Sequence, residues 1–201
     1  MCIVMRADTA SNSQPAASPR RWAQGPKHLK YQIIKLTEDQ IINQIEHSLR
    51  NYALRDIKLI SNQDTVIASF ILCSCFIEHI CTFRYGMSKL LSDKEFTDFV
   101  VEYLNHNYPE KYDAKKLRSD LRNKLVHNYS LGETYALVMG QHHLHLQKLN
   151  ETVIFLNLEN FIIDLERAFN LYIEELRSDK DNLRELALTA FEKVKIIGLL
   201  N

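Results

Sequence analysis

From Thr37 onward, apolar residues recur every three or four positions along most of the chain, and that spacing predicts a succession of helices. Thr37 stands where an N-cap belongs, with Gln40 three residues on in a capping-box pattern. Ile41, Ile45, Leu49 and Tyr52 then follow at helical spacing, which predicts a first helix over about 38–60, ending near Ser61-Asn62. A second helix from about Asp64 to Tyr85 is apolar around most of its circumference and stops at Gly86, a residue suited to a left-handed C-cap. It is expected at the centre of the fold, packed on more than one side. A shorter helix around 93–104 sets Phe96, Phe99, Val100 and Tyr103 on one face, and Pro109 closes the connection after it. Leu117, Leu121 and Leu125, four apart, predict the buried stripe of a fourth helix that ends near Asn128, with Gly132 just beyond.

Past Gly132 the period shortens towards two. Tyr135 to Met139, then Gly140-Gln141, then His142 to Leu146 predict a β-hairpin. Val153 to Leu156 reads as a short extended piece, Leu158 opens a long amphipathic helix through Phe161, Leu165, Ala168, Phe169 and Tyr172, and a last helix is expected near 182–197. The fold class is therefore all-α, a helical bundle with a small β-hairpin insertion, over residues 30–201. Residues 1–29 hold Pro15, Pro19 and Pro26 with little periodicity and read as a flexible tail. It is either an upstream extension, Met5 offering a second start, or a linker.

Composition narrows the class. In 201 residues, 46% hydrophobic and 25% charged is ordinary for a globular chain, and the equal counts of 25 basic and 25 acidic residues leave no overall field to draw in nucleic acid. Any anion site must be local. The Met1 to Met5 stretch is too short for a signal core, and no apolar run follows Arg20-Arg21. The run Val66 to Ile80 is broken by Ser69, Ser74, Glu78 and His79, as in a buried helix rather than a membrane span. A cytoplasmic protein away from membranes is expected, with Cys2, Cys73, Cys75 and Cys81 as free thiols. The five glycines form no phosphate-binding loop, which excludes the common nucleotide-dependent enzymes. Cys73, Cys75, His79 and Cys81 suggest zinc on paper, but a helix puts Cys73 and Cys81 on one side and Cys75 and His79 on another. His143 and His145 would share a strand face without a third ligand. No metal and no cofactor are expected.

The chemistry concentrates in the run 121–129. Arg122 carries a permanent planar cation able to fork onto phosphate oxygens, and His127 can give or take a proton near neutrality. Both suit a phosphodiester. RNA supplies its own nucleophile, the 2′-hydroxyl, so a site needs only a base, an acid and charge stabilisation. Asn123 adds a neutral hydrogen bond, and residues 111–127 carry a local balance of +4, with Lys115, Lys116, Arg118 and Lys124 offering an RNA-binding groove. His127 near the helix C-terminus would feel the negative end of the dipole, which suits the acid role. Glu78, on the second helix, is placed to pair with Arg122 and orient it. An arginine and a histidine closing a helix also serve as ordinary C-terminal capping groups. Five residues apart on an α-helix, Arg122 and His127 point about 140° away from each other. Two copies meeting across a two-fold axis would bring both kinds of group into one cleft.

The motif Arg122, four residues, His127, with a polar Asn123 after the arginine and Tyr129 two beyond the histidine, resembles the HEPN superfamily (higher eukaryotes and prokaryotes nucleotide-binding). The resemblance spans about residues 37–177. It implies a helical homodimer with a metal-independent endoribonuclease site at its interface, Arg122 and His127 catalytic, Asn123, Glu78 and Tyr129 supporting, and RNA products ending in 2′,3′-cyclic phosphate. The longer form with Tyr129 is similar to toxins paired with nucleotidyltransferase antitoxins that adenylylate the tyrosine. A toxin or anti-phage defence component with RNA and a cognate antitoxin or nucleotidyltransferase as partners is the implied setting. The rival reading is a non-catalytic helical dimer that binds RNA or a protein partner.

Overall fold

In the computed structural model, which describes residues 36–63, 65–86, 92–107 and 111–194, the chain forms six helices around a short pair of strands. The tail at 1–29, Pro109 and the end of the last expected helix lie outside these residues.

Helix α1 spans 38–61, with Leu49–Leu54 wound as a π-helix between Glu38–Ser48 and Arg55–Ser61. Its start is the capping box read from sequence: Gln40 N donates to Thr37 Oγ1 at 3.3 Å and Thr37 N to Gln40 Oε1 at 2.8 Å. Helix α2 is Val66–Arg84 and ends through Gly86 at φ 64°. Helix α3 runs 93–104 and buries Phe96, Phe99, Val100 and Tyr103. Helix α4 covers 114–128, again with a π-helical middle at Leu117–Leu125, and its Leu117, Leu121 and Leu125 stripe is buried. Helices α5 (Leu158–Arg177) and α6 (Leu183–Lys193) complete the bundle.

Helix α2 touches each of the other five helices, because it alone is apolar on nearly every side. Phe70 and Phe76 meet Phe161 and Phe169 of α5 at ring separations of 5.9 and 5.7 Å. Its length and composition would suffice to cross a bilayer, but half of it is buried inside the fold, as befits a core helix. Cys73 and Cys81 are in that core, where burial pushes their thiols up, while Cys75 is exposed on the opposite face.

The expected hairpin is corrected. Strand β1 (Tyr135–Val138) does not pair with 142–146; it pairs in parallel with β2 (Ile154–Asn157), in the register Tyr135 to Ile154 through Val138 to Asn157. His142–Leu144 is a single 3₁₀ turn. An antiparallel return does exist further on, where Leu146 N donates to Phe155 O at 2.8 Å and Leu149 N to Val153 O at 2.8 Å. Asn150 makes its turn, accepting from Thr152 N at 2.9 Å and Val153 N at 2.8 Å. Burial does not alternate along 142–146, and His145 is drawn down into a polar cluster on α5 rather than across to β1. The all-α fold with a small β insertion after α4 stands; its strand partners differ.

Candidate functional site

Six side chains form one hydrogen-bonded network where α4 passes α2 and the start of α3. Glu78 accepts from Arg122 Nε at 2.6 Å and from Arg122 Nη2 at 3.0 Å, the two-pronged pairing that a planar guanidinium makes with a carboxylate. The same Glu78 Oε1 accepts from Arg118 Nη1 at 2.6 Å, and Arg118 Nε donates to Asp93 Oδ1 at the start of α3, 2.8 Å away. Arg122 Nη1 reaches Asn123 Oδ1 at 3.2 Å and His127 Nε2 at 2.5 Å. Arginine has only donors, so His127 Nε2 is the acceptor and the ring proton sits on Nδ1 in this arrangement.

That last contact corrects the angular reading. Residues five apart diverge on an α-helix, but Arg122 lies in the π-helical Leu117–Leu125, where a turn takes more residues than in an α-helix. Arg122 and His127 therefore stand on one side of one helix, within hydrogen-bonding distance in a single chain.

Arg118, expected among the groove cations, is instead 7% exposed and turned inward onto Glu78 and Asp93. An arginine at that depth needs its carboxylates, and it serves to hold Glu78 rather than to meet solvent. Lys115 and Lys116 are exposed, and Lys124 is half-buried with its ammonium 3.3 Å from Asp120. Lys111 is also drawn inward, to Asp164.

The end of α4 is unusual. Tyr129 takes the left-handed conformation at φ 50°, and Ser130 N donates to Lys124 O at 3.3 Å, a closure that normally uses glycine. Holding a tyrosine there costs about 1–2 kcal/mol. Gly132, just beyond the helix end, has a task of its own. A Cβ there would overlap the Asp120 side chain, so the glycine lets the chain cross directly over a buried carboxylate. Burial would raise the Asp120 carboxyl, but hydrogen bonds from Thr134, Ser119 and Lys124 outweigh it and hold the group below its ordinary range.

A second cluster had no counterpart in the sequence reading. Asp164, 4% exposed on α5, takes Lys111 Nζ at 2.6 Å, Arg167 Nη2 at 3.0 Å and a short hydrogen bond from Tyr112 Oη. His145 Nδ1 accepts from Asn157 N at 3.3 Å, which puts its proton on Nε2, 3.0 Å from Tyr112 Oη. The available signal was position: Asp164 falls on the apolar stripe between Phe161 and Ala168, and a charge at such a place requires partners.

Two surface clefts, one of 440 Å³ along Tyr103, Ile163 and Arg167 and one of 630 Å³ along Glu38, Arg177 and Arg184, lie away from Arg122 and His127. Comparison with protein-family models, with curated proteins and with solved structures found no match.

Proposed function

We propose that this chain is a metal-independent endoribonuclease of HEPN type, working in the cytoplasm as a homodimer, in the setting of a toxin or a defence against phage. The observation that carries the reading is the Glu78–Arg122–His127 hydrogen-bonded line, which is anchored at Glu78 and open at its exposed histidine. Glu78 fixes the guanidinium in position, and Arg118 and Asp93 fix Glu78. An incoming phosphate oxygen would replace His127 at Arg122 Nη1, since an anion is the stronger acceptor. The released imidazole then has a free lone pair on Nε2 beside the phosphate, placed to take the 2′-hydroxyl proton. The 2′-oxygen attacks phosphorus, the bond to the 5′-oxygen breaks, and that oxygen leaves with a proton, giving a 2′,3′-cyclic phosphate. Two protons move, and among the described residues His127 is the one imidazole hydrogen-bonded to Arg122. The reason for a dimer is thus chemical rather than angular: a second His127 supplies the acid. An open edge rather than an enclosed cavity also suits a polymeric substrate.

The test is RNA cleavage in EDTA by wild type, Arg122→Ala and His127→Ala. Each variant is expected to lose at least about 100-fold in rate. Equal rates in all three would sink the reading. The rival, a helical dimer that binds RNA or a protein without cutting, draws on the fact that Arg122 is already satisfied by Glu78, Asn123 and His127. It predicts RNA retention by wild type with no cleavage product at any protein concentration.

A further inference from the structure

We propose that Tyr129 is a stacking platform for an unpaired RNA base next to the scissile phosphate, so that the preferred substrate is single-stranded or looped RNA. The proposal rests on the ribonucleolytic reading of Arg122 and His127 and names the form of RNA that the site accepts. Tyr129 is 69% exposed, two residues beyond the exposed His127, and Leu131, two further on, is 43% exposed. A large aromatic ring left in water beside a candidate phosphate site is unusual enough, and its backbone makes it more so. At φ 50° it occupies the left-handed position that glycine fills without strain, so helix closure alone does not account for a tyrosine here. The fold tolerates both exposure and strain at one residue, and both are explained if the ring's task is outside the fold.

An aromatic face beside a phosphate contact is how single-stranded nucleic acid is held. Every base presents a π-face, so the contact tolerates sequence, and a base paired in a duplex cannot offer it. Exposed Lys115 and Lys116 earlier on the same helix add backbone attraction without base preference. Stacking needs the ring and not the hydroxyl, which separates this role from modification of the tyrosine oxygen.

The decisive measurement is binding of a fluorescent single-stranded 2′-O-methyl RNA of about 12 nucleotides, which lacks the nucleophile and stays intact, in EDTA. The proteins compared are wild type, Tyr129→Phe, Tyr129→Gly and Arg122→Ala, each also melted thermally. Tyr129→Phe should bind within about twofold of wild type and Tyr129→Gly about tenfold more weakly. Tyr129→Gly should also melt about 2–4 °C higher, because the strain is relieved. Unchanged binding by Tyr129→Gly beside clear loss in Arg122→Ala overturns the platform and leaves the ribonuclease reading intact. Phe binding as weakly as Gly assigns the contact to the hydroxyl, and a lower melting temperature for Gly shows a ring packed into the fold; either result also overturns it. Failure of wild type to bind the strand at all removes both the platform and the ribonuclease reading.

Discussion

Two clusters in this protein use the same parts, a carboxylate, cationic side chains and an imidazole, and they differ in whether water reaches them. In the interior, Asp164 is held by Lys111, Arg167 and Tyr112, and both nitrogens of His145 have partners, one in Asn157 N and one in Tyr112 Oη. The groups tie the insertion and the segment before α4 onto α5. At the edge of α4, Arg118 is sunk into the fold and Glu78 is half-buried, while His127 stands in solvent. A closed set of charges holds a fold together; the same set with one end open can exchange a partner for a ligand.

The largest expected effect that sharpens this contrast is Asp164→Ala. Removing the carboxylate takes away the acceptor that Lys111, Arg167 and Tyr112 share, and urea unfolding should report a loss of about 3–5 kcal/mol. A loss under about 1 kcal/mol would mean that the interior cluster holds nothing. Acid should act on the same group. Burial alone would raise the Asp164 carboxyl, but hydrogen bonds from His145, Lys111 and Tyr112 outweigh it and bring it down to about 2, against an ordinary 3.8. The native state then binds fewer protons than the unfolded chain. Its contribution, about 2 kcal/mol, is complete above about pH 4 and lost as pH falls towards 2. Stability measured over that window should fall in wild type and flatten in Asp164→Asn; parallel curves would contradict the assignment. The smallest effect is the comparison of the two histidines. His145→Ala should cost about 2 kcal/mol, because Asn157 N–H and Tyr112 lose partners, whereas His127→Ala should stay within about 0.5 kcal/mol of wild type. Equal costs would erase the distinction between closed and open clusters.

What could be read along the chain was whatever depends on near neighbours. The Thr37 and Gln40 capping box, the Leu117, Leu121 and Leu125 stripe, the Gly86 stop and the central place of α2 all follow from spacing and residue type, and all are present. The pair Glu78 and Arg122 was legible because a lone acid on an apolar helix has few ways to be satisfied. Arg118 was not, since it and Arg122 have the same charge and lie one turn apart; the packing of α4 against α2 and α3 brings both guanidiniums onto Glu78 and gives Arg118 Asp93 as well.

The sequence by itself determined which segments are helical, where several of them start and stop, and which residues are candidates for phosphodiester chemistry, because periodicity, caps and side-chain functional groups are local properties. Tertiary structure decided the rest. Whether Arg122 and His127 meet depends on how tightly α4 is wound, and the π-helical turn brings together two groups that an α-helix would separate. Whether 135–138 pairs with 142–146 or with 154–157 depends on where α5 holds His145 and Asn157, since a strand's partner is chosen by what the core places beside it.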